Sequence, residues 1–402
     1  MLSKFKKSIF LFLSLYLIAC NNNISTELKR EEKFVLLYGS FENELNLFNL
    51  DTYYTRPDTQ IFMKDGLFFI VNSGSQKILK LSSFGDLLAV IYNPESNIIS
   101  QFASEAANSA QAATMTVLEH PFNTPSLLSI TNSKQLFLVD AVTEDKIEHD
   151  HEENIILRDV ILWFDENGNF IDYIGQEGLG GTPFPLIEGI YTTAYEDIVV
   201  VCRTQTGIKI YWYNIKGSLI YKIPVFFNSI PNPYGTEAKF FSSIDKIVPD
   251  FSEYKLYIKI DYYVEQKDTA TNAHLGVSYD RSCLYSLNIQ TGKYEKKIDI
   301  EPYEDIEDTE RESLKFKKAY ELLGITQSGW CYLTTPNNTG YALQILNLKS
   351  QKIYRKNLLV ANSEMLYNTF HLSTKGIISA LLAKEDSASV VWWRTDVLTG
   401  EK

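Results

Sequence analysis

The residues best equipped for chemistry lie in one short run, Glu148-His149-Asp150-His151-Glu152-Glu153, where two imidazoles alternate with carboxylates. Neutral imidazole and carboxylate are natural ligands of zinc and other divalent ions, so His149, His151 and Glu152 are the candidate metal ligands. The spacing matches no established structural zinc pattern, and an acidic surface loop can carry the same residues with no metal. A second candidate is the glycine cluster within residues 163–185 (WFDENGNFIDYIGQEGLGGTPFP). Glycines cradle phosphate where a helix follows and points its amides at the anion. Here Thr182-Pro183-Phe184-Pro185 follows, and each proline biases the preceding residue toward extended backbone. Nucleophilic catalysis finds no support either, since no Gly-x-Ser-x-Gly elbow occurs. No catalytic residue is assigned and no cofactor is expected.

What must position these residues is strand and turn. Residues 161–164 and 170–174 are short β-prone runs on either side of Asp165-Glu-Asn-Gly-Asn169, with Gly168 available for positive φ, which reads as a β-hairpin. The same strand–turn–strand pattern recurs through Phe84-Gly85-Asp86, Lys216-Gly217, Thr291-Gly292-Lys293 and residues 349–352. Two further strands precede each hairpin, most clearly at residues 187–193 and 198–203. Units therefore begin near Gln60, Ser126, Ile187, Ser242, Ala319 and Asn368. Four-stranded units repeated around a ring are the signature of a β-propeller.

The count closes at the ends. The last unit supplies only three strands (370–373, 377–382 and 390–394), while residues 33–39 (KFVLLYG) form an orphan strand near the N-terminus. Pairing the orphan with the last unit removes an exposed edge. The expected fold is all-β: a six-bladed β-propeller of four-stranded antiparallel blades, with the N-terminal strand closing the last blade. Loops on a rigid scaffold concentrate function, and the long insertions, residues 93–125, 143–158, 265–281 and 301–318, all map to one face. Residues 101–115 read as a short helix, and residues 301–318, acidic then basic, suit a surface helix. His371 opens an inner strand and can face the central channel.

The N-terminus carries a different message. Lys4, Lys6 and Lys7 precede an apolar stretch, residues 9–18, too short for an ordinary membrane span. Leu17-Ile18-Ala19-Cys20 follows and resembles a bacterial lipobox, which implies cleavage before Cys20 and lipid on its sulfur and amino group. Residues 1–19 are thus expected to be a lipoprotein signal peptide, 20–32 a polar tether and 33–402 the propeller. Removing the three leader lysines takes the formal charge from −12 to −15, which disfavours nucleic acid as a partner. Cys202, Cys283 and Cys331 sit in strand-like contexts and are expected to be buried free thiols.

Residues 78–92 and 160–185 resemble NHL repeats, whose hairpins carry an Asp-Asn-Gly turn and a glycine-rich link to proline. In this comparison Asp165, Asn167 and Gly168 match as turn formers only. With its lipobox and its Ile, Asn, Lys and Tyr bias, the chain is similar to propeller lipoproteins of the spirochaete type. The resemblance implies a binding or scaffolding module of a bacterial cell envelope, anchored to the membrane through lipid alone and facing the periplasm. Its partner would be a protein or envelope polymer. The alternative is a metal-assisted hydrolase or lyase built on the same ring. Cys20 is the expected site of lipid attachment.

Overall fold

The computed structural model describes residues 27–47, 59–98, 115–235, 239–268, 271, 273–308, 313–361 and 365–400. Cys20, the signal peptide and most of the expected helix at residues 101–115 lie outside the described residues. Six antiparallel blades follow one another along the chain. Blade 1 opens with Gln60–Lys64, blade 2 with Leu128–Ile130, blade 3 with Ile187–Thr192, blade 4 with Phe241–Pro249, blade 5 with Glu321–Ile325 and blade 6 with Tyr367–Leu372. These are within two residues of the starts expected from the repeat. Each opening strand touches the opening strands of its two neighbours, and blade 6 touches blade 1, so the six form the inner wall of a closed ring.

The second and third strands of each blade are sandwiched between neighbouring blades. They accordingly read as near-continuous apolar runs, such as Leu67–Asn72 (LFFIVN), Ile198–Arg203 (IVVVCR) and Ile378–Ala383 (ISALLA). Buried apolar side chains fall into six clusters, one at each junction between adjacent blades. The junction of blades 6 and 1 joins Leu36, Leu381 and Val390 to Phe68, Ile70 and Leu79. Cys202, Cys283 and Cys331 are buried free thiols, as expected.

The N-terminal strand closes the ring. Arg30–Leu37 pairs antiparallel with Ser387–Trp393 of blade 6. Its inward residue Leu36 is 5% exposed while Val35 and Leu37 face solvent at 47% and 62%, the alternation required of an outer strand. The strand starts three residues before the expected boundary. Glu27–Leu28 adds to blade 5, pairing parallel with Ile353–Leu359, so part of the expected tether belongs to the sheets. Blades 1 and 2 also gain a fifth strand, Thr116–Glu119 and Gly178–Leu179.

Turns on one face are short and held by carboxylate or amide side chains. Asp165 Oδ1 accepts from the amides of Asn167 and Asn169 at 2.9 and 2.8 Å, with Gly168 at φ +89°. Asn214, Asn288 and Asn347 do the same in blades 3, 4 and 5. The other face carries the long insertions. Residues 265–281 extend the central hairpin of blade 4, Lys255–Lys267 with His274–Asn288, and two other insertions form separate hairpins: Glu148–Asp150 with Ile155–Leu157, and Tyr303–Asp308 with Ser313–Lys318. The second corrects the surface helix expected over residues 301–318. Acid-then-base order suits a helix dipole, but folded back on itself it also sets Glu304 opposite Lys317, and Asp305 forms an ion pair with Lys318.

Candidate functional site

Three links of the loop-rich face converge beside blade 2 around a cleft of about 630 Å³. One wall is the end of the link into blade 2, from His120 to Asn123. The second is Val142 to Glu148, leading into the histidine-bearing hairpin. The third is the glycine link, Gly180 to Pro183, with Tyr173 and Leu162 at its base. The glycines therefore join blade 2 to blade 3, as the sequence suggests, and also shape the cleft. A side chain at Gly175 would collide with the backbone carbonyl of Gly181, where the link doubles back.

Asp140 anchors the first wall. It lies at the end of the second strand of blade 2 and is 3% exposed. Its carboxylate accepts from the amides of Asn123 (3.0 Å), Thr124 (2.6 Å) and Ala141 (2.9 Å). Burial, with Asp159 nearby, pushes its pKa up to about 6 even though the amides favour the charged form. Asp159 on the neighbouring strand holds the amide of Ile187 at 2.9 Å, fixing the start of blade 3 in the same way. These two carboxylates set the links that frame the cleft.

His120 is half-buried among Phe122, Phe164 and Phe170, with ring centroids 4.8, 5.2 and 4.9 Å away. Burial lowers its pKa, so it stands as a neutral hydrogen-bonding group on the cleft wall. The rim is charged and exposed, with Asp145, Lys146 and Glu148 beside Ile147. A wall of aromatic and neutral polar groups under a charged rim can hold a chain rich in hydroxyl or amide groups. Sequence reasoning identified the loops but not Asp140 or His120. The Asp at the end of an apolar strand (LFLVD) was the available signal.

Of the three candidate metal ligands, the structure brings two together. His149 Nδ1 and His151 Nδ1 lie 3.2 Å apart on the exposed end of the hairpin. Glu152 does not join them: among the described residues no group of three His, Cys, Asp or Glu side chains is placed to hold a metal. Asp150 is occupied by the amides of Glu152 and Glu153, and Glu153 forms an ion pair with Lys209.

No protein-family model and no curated protein matches the chain. Its fold is similar to several solved structures. A polysaccharide lyase is 9% identical at a TM-score of 0.42, covering 91% of this chain and 99% of the other. The β-propeller domain of the Trilobed protease from Pyrococcus furiosus is 10% identical at 0.36, covering 90% and 83%. A gluconolactonase from Xanthomonas campestris is 9% identical at 0.37, covering 81% and 82%. Likeness at this level carries no inference about activity.

Proposed function

We propose that the chain is a lipid-anchored lipoprotein of a bacterial cell envelope, of the NHL-like spirochaete type, whose propeller is a binding or scaffolding module. The anchor rests on Lys4, Lys6 and Lys7, the short apolar stretch and Cys20; several acyl chains, at about 0.8 kcal/mol per buried methylene, hold a protein on a membrane without a spanning segment. The observation that carries the binding role is the convergence on the blade 2 cleft of three links, two of them long insertions, on the face that holds all four long insertions. The partner is a protein or envelope polymer facing the periplasm, reached through His120, Tyr173 and the rim of residues 145–148. Sedimentation of the purified protein with isolated peptidoglycan and with envelope membranes tests this. His120→Ala and replacement of residues 145–148 by Gly and Ser should abolish co-sedimentation, while Tyr195→Ala on the opposite face should not. Equal loss from both faces, or no association by the unaltered protein, overturns the reading.

One observation favours the alternative, a metal-assisted hydrolase or lyase. Two nitrogens bound to one divalent ion at about 2.0–2.1 Å stand about as far apart as the Nδ1 atoms of His149 and His151. Stoichiometric zinc in the purified protein, lost in His149→Ala and His151→Ala, would move the assignment to that reading. A protein that binds its polymer and takes up no metal would end it.

A further inference from the structure

The short-turn face has a feature of its own where blades 5, 6 and 1 meet. Among the described residues the two most exposed large apolar side chains are Phe84 and Val397, at 82% and 71%. Phe84 lies in the turn between Lys77–Leu81 and Leu87–Tyr92 of blade 1, and Val397 in the helical turn Asp396–Thr399 that follows blade 6. The N-terminal strand joins the two turns. A side chain at Gly85 would strike Phe34 Cβ at 2.7 Å, so the blade 1 turn rests on that strand. The first residue of the strand, Arg30, pairs with Trp393, just before the turn that holds Val397.

Positive charge surrounds this corner. Lys33 and Arg394 both stand over the Trp392 ring, 4.1 and 5.9 Å from its centroid. Lys375 lies in the adjoining turn, where the Gly376 carbonyl accepts from the Thr395 hydroxyl, and Lys349 and Lys352 lie in the outer turn of blade 5. Of the acids here, Glu31 accepts from Trp392 Nε1 at 2.9 Å, Asp396 from Arg394 at 2.6 Å and Asp86 from the Ser82 hydroxyl at 2.8 Å, while Glu27 and Glu32 are exposed. The loop-rich face differs: its four long insertions carry formal charges of −3, −4, −1 and −3, together −11 of the chain's −12. The chain also leaves the ring at this corner. Glu27–Leu28 runs parallel to Ile353–Leu359, so the backbone arrives at Glu27 from the side of Lys352 and the short turns. Cys20 precedes Glu27 by seven positions, which span at most about 25 Å when fully extended. Anionic lipid repels the acidic insertions, whereas each basic residue close to such a surface is worth about fivefold in association.

We propose that, given the lipid anchor at Cys20 on which this inference rests, the corner of Phe84, Val397, Lys33, Lys352, Lys375 and Arg394 seats on anionic lipid headgroups. Phe84 and Val397 enter the interface, and the loop-rich face turns away from the bilayer toward its partner. The lipidated protein in vesicles of phosphatidylethanolamine and phosphatidylglycerol tests this, with a nitrobenzoxadiazole probe on Phe84→Cys, on Val397→Cys or, for contrast, on Leu275→Cys in the blade 4 insertion. Cys202, Cys283 and Cys331 are buried and stay unlabelled. Emission at positions 84 and 397 should rise several-fold and be quenched by nitroxide-bearing lipid, while that at position 275 stays unchanged. Replacing phosphatidylglycerol with phosphatidylcholine, or combining Lys349→Glu, Lys352→Glu and Lys375→Glu, should cut the quenching by about half or more. Vesicle-bound protein with no quenching at 84 and 397, or with quenching at 275 instead, overturns the orientation and leaves the anchor standing. Equal quenching in both lipid mixtures overturns the contact with anionic headgroups. Protein that does not float with the vesicles overturns the anchor and the orientation together.

Discussion

Asp140, buried, and His371, partly buried but enclosed by protein atoms, are titratable groups that pull the pH dependence of stability in opposite directions. Asp140, raised from 3.8 to about 6 by burial, keeps a proton in the native state that the unfolded chain has already released. Its contribution is present below about pH 4 and is lost as pH rises toward about 6. His371, held down to about 3 by burial and by Lys246 and Lys64, stays neutral where the unfolded chain is protonated. Its contribution is present above about pH 6.5 and is lost as pH falls toward about 3. The two slopes offset each other in the unaltered protein. Urea unfolding between pH 4 and pH 6 should therefore show Asp140→Asn losing stability more steeply on acidification. His371→Asn, whose amide oxygen can still accept from the Met63 amide that His371 Nδ1 holds, should instead lose stability as pH rises. Each change in slope is bounded by about 1.4 kcal/mol per pH unit, and unchanged slopes in both variants would contradict the burial assigned to these groups.

At the scale of the element, the N-terminal strand is the test of ring closure. Leu36 is its inward anchor, and Leu36→Ala should cost about 2–5 kcal/mol, whereas Val35→Ala and Leu37→Ala should each stay within about 0.5 kcal/mol. Equal effects at the three positions would mean that the strand does not face the core in this register. The strand is also tied at its start: Trp392 Nε1 donates to Glu31 at 2.9 Å and Lys33 lies 4.1 Å from the same ring. Removing the chain up to residue 26 should therefore leave the melting temperature unchanged. Removal up to residue 32 should lower it measurably, and removal up to residue 39 should give aggregation, because it bares the edge of Ser387–Trp393. Identical melting of the three truncated proteins would refute strand exchange.

At the scale of the whole molecule, six apolar junctions make a closed ring that presents one face of short turns and one of long links. The proposed tether near residue 20 would leave the ring free to meet partners near the membrane. Cys20→Ala should abolish labelling by an alkyne fatty acid and leave the precursor unprocessed at this site. Unchanged labelling would remove the anchor from the proposed function. Protease treatment of intact cells should spare the propeller if it faces the periplasm.

What the sequence determined by itself is local or periodic. Asp165, Asn214, Asn288 and Asn347 mark turns because a side-chain oxygen two residues before a backbone amide needs no tertiary partner to act. Apolar runs at regular intervals set the number of blades, and the missing strand of the last unit required the orphan strand at residues 33–39. Tertiary structure alone decided what depends on a distant surface. Residues 301–318 satisfy a helix and a hairpin equally well until packing chooses. The parallel pairing of Glu27–Leu28 with blade 5 has no local pattern. Asp140 and His120 become parts of a site only because the links beside blade 2 bring them together from separate segments, and the desolvation that sets their chemistry exists only once the ring has closed.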